Sequence, residues 1–432
     1  MAEWDAIVVG AGPAGAAAAL TLARGGVRVA LLDREDFPRD KPCGDLLGRA
    51  AVAWCARLGI DLEALDAVRV RGVALRTPGG ALVRGIARSG ARAPAEAALV
   101  PRLRFDAALV EMAVAAGATL HRLRATAPLL DGSGQVIGVA TRAITSPAGL
   151  DPLAPPSTGI DRGAPRAESM PATPPIATGV GPAMRATTVP GGPELIAPLV
   201  VAADGWGSAI ARALLGQWAA RPAQRGIAAR CYVEGVRGLH GRMRFYCERD
   251  LMPGCAWIFP LDGDRANVGL GTLVRDDASP ARLAERLERF IADPASPAAD
   301  ILGGARRLSA TASWPLAIGW RHGPLAFDGL LLAGDAAALV SPMSGSGIAA
   351  ALHSGHLAGR AGLRALDRGD TSRAALLPYE RHMRRAFQTR YALERGGQAL
   401  VASPARLDLV GALAAGMPYG QALAAGLLFN LG

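Results

Sequence analysis

The chain has 432 residues, 50% of them apolar and 19% charged, a composition that allows a large core and two or three structural units and excludes disorder over most of the length. Its net charge of +10 points to anionic company: a phosphorylated cofactor, an acidic substrate or carrier, or an anionic membrane surface. Nucleic acid is disfavoured, because the sequence has no zinc-finger spacing, no basic helix run and only 5% aromatic residues to stack on bases.

The N-terminus, MAEWDAIVVGAG, lacks the basic region, apolar run and cleavage site of a signal peptide. The cysteines, Cys43, Cys55, Cys231, Cys247 and Cys255, form no CxxC pair, so free thiols in a reducing, cytoplasmic setting are expected. An apolar strand from Ala6 to Val9 enters Gly10-Ala11-Gly12-Pro13-Ala14-Gly15, a GxGxxG run that opens an alanine-rich helix. A second apolar run, Val27 to Leu32, ends on Asp33 and Arg34. In such a unit the first glycine turns tightly out of the strand, the second lets the backbone approach a pyrophosphate, and the third lets the helix pack close to the sheet. The pyrophosphate sits on free amides at the helix N-terminus, and Asp33 is placed to accept hydrogen bonds from a ribose. With strand, helix, second strand and terminal acid all in place, a dinucleotide site is expected.

Residues 39–49, RDKPCGDLLGR, contain Lys41, the only lysine of the chain, two residues from Cys43 and four from Asp45. Strand-like runs follow in VRVRGVALRTPGGALVRGIAR, and VPRLRFDAALVEMAVAAGATL reads as a helix carrying Arg102. From Thr145 to Pro198 the chain is rich in Pro, Ala, Gly and Thr without an apolar period. A disordered insertion of residues 145–198 is expected there, between QVIGVATRA and LIAPLVVAADG, two strands that a short loop would ordinarily join. LVVAADGWGSAIARALLG sets Asp204-Gly205 between a strand and a helix. Alternation in QRGIAARCYVEG, GRMRFYCERD, CAWIFPLDGDRANVGLGTL and LSATASWPL predicts a mostly antiparallel sheet.

FDGLLLAGDAAALVSPMSGSGIAAALHSGHLAGR gives a strand from Leu330 to Ala333, then Gly334-Asp335, Pro342 and Gly345-Ser346-Gly347 before Ile348 opens a helix. His353 and His356 on that helix lack a third ligand and read as helix surface, so no metal is expected. Arg381, Arg384 and Arg385 read as a solvated helical face. Leu409 to Leu428 carries no formal charge but is broken by Gly411, Gly416 and Pro418. Two short packed helices are expected there, with interfacial membrane contact left open.

The segment after Gly334 resembles the second flavin fingerprint of the glutathione-reductase-like and hydroxybenzoate-hydroxylase-like flavoproteins. The resemblance implies FAD. Asp335 would hold its ribityl chain, and Gly345 and Gly347 would bring backbone amides to the pyrimidine edge of the isoalloxazine, where a helix N-terminus stabilises the charge of reduced flavin. Asp204-Gly205 resembles the DG motif of flavin hydroxylases, and Arg102 the arginine that reaches the cofactor in that family. The expected fold is α/β, α+β overall. A Rossmann-type FAD-binding domain is built from residues 1–70, 98–210 and 325–370, a mostly antiparallel substrate-binding sheet from 71–97 and 211–324 is inserted in it, and C-terminal helices fill 371–432.

RDKPCGDLLGRAAV, CAWIFPLDGDRANVGLGTL and the helix after Asp335 are similar to the geranylgeranyl reductase family, whose members reduce isolated alkenes in prenyl chains. This implies that Lys41, Cys43 and Gly44 lie near the flavin and that Trp257, Phe259 and Pro260 line the substrate cavity. Cys255 stands where the family motif usually begins with tyrosine or phenylalanine. An unactivated alkene accepts hydride only if a proton reaches its other carbon nearly in step. Lys41 is therefore expected to hold a phosphate or the flavin's negative charge, and Cys43 or Asp45 to act as proton donor or positioning group. The alternative for Cys43 is a small buried hydrophobe.

The expected function is reduction of carbon–carbon double bonds in a hydrophobic, prenyl-like or carrier-bound substrate, by hydride transfer from flavin N5. The alternative is a flavin-dependent monooxygenase or halogenase of secondary metabolism, using an oxygen adduct at C4a. No separate pyridine-nucleotide domain is visible in the sequence, so electrons would come from transiently bound NAD(P)H or from a reductase partner.

Overall fold

A computed structural model describes residues 3–86, 97–144, 192–216, 225–274, 279–319 and 323–416. Short apolar runs build the first sheet from its middle outward. Ala6–Val9 pairs in parallel with Val29–Asp33 on one side and Leu199–Ala202 on the other, and these continue in parallel to Thr119–Leu130 and Leu330–Leu332. The central strands are buried along their whole length, which is why they read as continuous apolar runs rather than alternating ones.

Nine helices form among the described residues: α1 (Pro13–Arg24), α2 (Arg49–Leu58), α3 (Arg102–Ala115), α4 (Ala209–Leu215), α5 (Pro280–Ala292), α6 (Ala299–Leu302), α7 (Ile348–Asp367), α8 (Arg373–Val401) and α9 (Pro404–Gly416). α1 and α7 pack side by side at a separation that small residues permit. A Cβ on Gly355 would lie 1.9 Å from the Ala14 carbonyl oxygen, and one on Gly359 2.7 Å from Thr21 Cβ. Both helices begin at the same cavity.

Val136–Ala143 and Glu194–Ile196 extend the first sheet with antiparallel strands. Ordered structure therefore resumes earlier than the expected insertion end at Pro198. Leu195 and Ile196 pair with Val139 and Gly138, and Ala197 N donates to Ile137 O at 3.0 Å. Residues 145–191 of the expected insertion lie outside the described residues.

The second sheet has eight strands, formed by residues from Gly72–Ile86 and Arg225–Ala317, and is antiparallel except where Arg242–Tyr246 runs parallel to Gly72–Arg76. It begins at residue 225 rather than 211, because α4 packs against Thr119–Leu130 of the first sheet. Period-two alternation divides its faces. Ala229, Cys231, Ala256, Ile258, Val268 and Leu270 join the core under α5, whose Leu283, Leu287 and Phe290 follow helical spacing. The residues between them turn to the other face, towards the cavity.

A small third sheet of Leu46–Gly48, Val68–Arg69 and Ala97–Leu99 ties the loop after Lys41 to the entry of α3. α8 is docked to the edge of the first sheet and the segment that follows its last strand. Tyr379 and Tyr391 of α8 donate to the carbonyls of Leu332 and Leu339 at 2.7 and 2.8 Å. Among the described residues no helix is long and apolar enough to cross a membrane. α9 covers the start of the uncharged tail, and residues 417–432 lie outside the described residues.

Candidate active site

The two larger sheets and the starts of α1 and α7 enclose a cavity of about 370 Å³. At its dinucleotide end Gly10 (φ +92°) turns out of the first strand, where a Cβ would meet Ala203 O at 2.4 Å, and a Cβ on Gly15 would meet Gly10 O at 1.7 Å. Gly12 differs, since the nearest atom to a Cβ there is Arg39 Nη2 at 3.6 Å, and with Pro13 and Ala14 it lines the cavity. Asp33 Oδ2 accepts from Ala11 N at 2.7 Å at the end of its strand. Arg34 is exposed and paired with Glu35 at 3.3 Å, away from the cavity lining.

Gly334 (φ +60°), Asp335, Pro342, Gly345, Gly347 and Ile348 line the same cavity. Neither α1 nor α7 has a side-chain cap or an acidic residue in its first turn. Two uncapped helix starts, an open glycine cradle and an acid at a strand end form the donor set of a dinucleotide flavin. These residues fit FAD: the α1 amides would hold its phosphates, Asp33 a ribose and the start of α7 the pyrimidine edge of the flavin. Gly205 lines the cavity beside them. Asp204 accepts from Ala209 N at 2.9 Å, and burial raises its carboxyl.

Lys41, Cys43 and Gly44 also line the cavity, but Asp45 does not. The left-handed backbone of Asp45 (φ 62°), which aspartate tolerates, turns its carboxylate beneath the loop, where it is 0% exposed. Oδ2 accepts from the Tyr232 hydroxyl and from Asn267 Nδ2, both at 2.8 Å, and Oδ1 from Arg102 N at 3.2 Å. Burial raises this carboxyl to about 6, against the lowering effect of Asn267 and then Tyr232. Of the two roles expected for Asp45, proton donor or positioning group, its burial off the cavity lining favours the second. Its buried donors hold it under the loop as a positioning residue.

Asn267 is the junction of this network. Its Oδ1 accepts from Trp257 Nε1 at 2.9 Å, and its Nδ2 also donates to Cys43 O at 2.7 Å. The thiol of Cys43 is raised by burial, with partial compensation from the charge of Arg102 beside it. Arg102 grips Asp106 through two bonds of 2.6 Å, and Arg39 approaches the same carboxylate at 2.8 Å. Burial pushes Asp106 up, yet the charge and donors of Arg102 hold it below the usual carboxylate range. Burial pulls the Lys41 ammonium down, opposed by Asp335 at 3.9 Å.

Across the cavity, Cys255, Trp257 and Phe259 alternate with residues of the core and face the loop. Phe259 packs on Phe245 and Trp257 with ring centroids 5.1 and 5.9 Å apart. Gly44 lies directly beneath, where a Cβ would be 2.9 Å from Phe259 Cε2. Sequence reasoning missed Tyr232, Asn267, Asp106 and Arg39. Asn267 did carry a signal, as a polar residue in the otherwise apolar strand ANVGLGTL.

His353 and His356 depart from the expected helix surface. They pack on Trp54 of α2 with centroids 4.7 and 5.4 Å apart, and His353 lines the cavity. No group of side chains among the described residues could hold a metal ion. Arg384 pairs with Glu380 at 2.8 Å, while Arg381 and Arg385 are exposed.

Residues 3–143 match the family model described as FAD binding domain. The chain is 30% identical over 360 residues to the menaquinone reductase of Mycobacterium tuberculosis, covering 82% of this chain and 75% of that protein. It is 28% identical over 393 residues to the digeranylgeranylglycerophospholipid reductase of Methanoculleus marisnigri, covering 88% and 82%. A solved geranylgeranyl bacteriochlorophyll reductase-like protein of Thermoplasma acidophilum has the same fold, with a TM-score of 0.77 at 21% identity over 98% of this chain and 95% of that one.

Proposed function

Because the chain belongs to the geranylgeranyl reductase family of FAD-dependent oxidoreductases, we propose that it saturates carbon–carbon double bonds in the prenyl chain of a hydrophobic substrate. The observation that carries this reading is the Cys43 thiol, set in a cavity shared with two flavin-suited helix starts and walled by Phe245, Trp257, Phe259 and Trp314. Aromatic and apolar walls of this kind accept an alkene chain by burying it. Relatives named for a menaquinone and for a digeranylgeranyl lipid support the same substrate class.

When bound, FAD supplies the hydride. The protein's part is to place the alkene, exclude water and deliver a proton. Burial keeps the Cys43 thiol protonated at neutral pH. It donates that proton to the alkene carbon next to the one that receives hydride, and Arg102 stabilises the thiolate left behind until product release readmits water, which returns the proton. Trp257 and Phe259 hold the chain over Cys43, and Asn267 fixes Trp257 and the Cys43 carbonyl relative to each other. NAD(P)H or a reductase partner restores the electrons.

The test is Cys43→Ala in reduced holoenzyme mixed anaerobically with geranylgeranyl substrates. Flavin reoxidation should slow by on the order of 10²- to 10⁴-fold while flavin content is unchanged. An unaltered rate would remove Cys43 from the reaction.

A further inference from the structure

The turn that leads into α7 is tied to α8 from outside the cavity. Ser341, Pro342, Ser344, Gly345 and Gly347 line the cavity, and Gln398 of α8 reaches the lining beside them, whereas Glu394, one turn earlier on α8, does not. Glu394 Oε2 nevertheless accepts from the Ser341 hydroxyl at 2.6 Å, and its Oε1 from Arg390 Nε at 2.7 Å. Gln398 Nε2 donates to Pro342 O at 2.6 Å.

The Ser341 bond has a direction that propagates through the turn. A hydroxyl has one hydrogen, and Ser341 directs its own to Glu394, so its lone pairs are left to accept from Ser344 N at 3.2 Å and Ser344 Oγ at 2.9 Å. With its hydrogen on Ser341, Ser344 Oγ accepts from Ser346 N at 3.4 Å. The backbone closes the same turn: Ser341 N donates to Ser346 O at 2.9 Å and Gly345 N to Ser341 O at 3.0 Å. The amides of Ser344, Gly345 and Ser346 are thus engaged inside the turn, while the first-turn amides of α7 have no partner within their own helix. A 2.6 Å bond from a hydroxyl to a carboxylate falls in the charge-assisted range, and Ser341 is buried, so water does not replace it.

We propose that Glu394 is a positioning residue for the flavin: acting through Ser341, with Gln398 as a second anchor, it fixes the turn that aims the α7 amides at the pyrimidine edge and so sets the affinity and reduction potential of bound FAD. Reduced flavin carries the charge that those amides stabilise, so a loosened turn weakens reduced FAD more than oxidised FAD. The assignment rests on the flavin-binding reading and not on the alkene reaction, so either can fail without the other.

The test uses the FAD-loaded holoenzyme. Flavin release on dilution is followed by recovery of flavin fluorescence, the midpoint potential is read by equilibration with a reference dye, and the thermal midpoint checks folding. The variants are Glu394→Ala, Glu394→Gln, which keeps an acceptor for Ser341, and Gln398→Ala. Glu380→Gln is the control, because it loosens α8 where Glu380 accepts from Leu325 N and Ala326 N, outside the cavity lining. Glu394→Ala should release oxidised FAD about tenfold faster and lower the midpoint potential by about 30 mV, a further tenfold weakening of the reduced form for a two-electron couple. Gln398→Ala should shift both in the same direction, and Glu394→Gln should stay within about twofold of the parent protein. An unchanged potential in Glu394→Ala would overturn the proposal. So would a Glu394→Gln variant that loses as much as the alanine, because the bond to Ser341 would then not be what positions the turn. An equal shift in Glu380→Gln would overturn it too, by tracing the effect to general loosening of α8. Where Glu394→Ala fails to retain flavin, Gln398→Ala decides, and a parental potential there overturns the proposal.

Discussion

Replacing Asn267 by leucine nearly preserves volume and removes the hydrogen bonds that join the Cys43 loop to the cavity wall. Asn267 is 0% exposed, so no water replaces what is lost. Trp257 Nε1 loses its acceptor, Cys43 O loses its donor, and Asp45 Oδ2 is left with Tyr232 alone. At about 1 kcal/mol for each neutral group and about 1.5–3 kcal/mol for the bond to the carboxylate, the loss is about 3–5 kcal/mol. Urea unfolding of the holoprotein, followed by tryptophan fluorescence, measures it. The variant should also show a larger KM for prenyl substrates, because Trp257 is no longer anchored. A loss below about 1 kcal/mol would mean that these buried groups find other partners and that Asn267 does not anchor the loop.

Asp45 makes stability depend on pH. Its carboxyl is raised from 3.8 to about 6 in the folded protein, so between those values the folded state holds a proton that the unfolded state has released. Stability should fall as pH rises across that window, by roughly 3 kcal/mol at about 1.36 kcal/mol per unit. Asp45→Asn should flatten the profile of thermal midpoint against pH between 4 and 7, and an unchanged slope would count against this account. Asp106→Asn leaves Arg102 and Arg39 without their shared carboxylate and should cost about 3–5 kcal/mol in urea denaturation at pH 7. Because Asp106 is held below the usual range, its stabilisation is full above the ordinary carboxylate pKa and is lost as pH falls through the lowered one. Gly44→Ala sets a methyl 2.9 Å from Phe259 Cε2, and Phe259 is 4% exposed with little room to retreat. It should cost about 1–3 kcal/mol and raise KM for prenyl substrates, with flavin content unchanged.

The cofactor end is legible in the sequence because its chemistry is local. Gly10, Gly12 and Gly15 with the strand-end Asp33, and separately Gly345 with Gly347, form two short motifs whose expected parts are played by backbone or strand-end positions. The network under the Cys43 loop has no such locality. Tyr232 and Asn267 are direct partners across two antiparallel strands, Phe259 faces Asn267 on the third, and Asp45 arrives from a loop. Only the register of the sheet brings them together. Which of its two expected roles suits Asp45 is illegible for a related reason, since a left-handed aspartate cannot be recognised from its neighbours in sequence. Likewise Trp54 meets His353 only once α2 packs on α7, and the strand at Glu194–Ile196 is too short to stand out from the proline-rich segment before it.

Anaerobic reoxidation of the bound, reduced flavin decides whether the cavity reduces a prenyl alkene. The holoenzyme is reduced without oxygen, mixed with geranylgeranyl lipids, and followed by flavin absorbance and by the mass of the products. Reoxidation without oxygen is expected, with products heavier by two hydrogens for each bond saturated. A flavin that stays reduced with every prenyl alkene, and that yields an oxygenated or halogenated product once oxygen is admitted, would contradict alkene reduction.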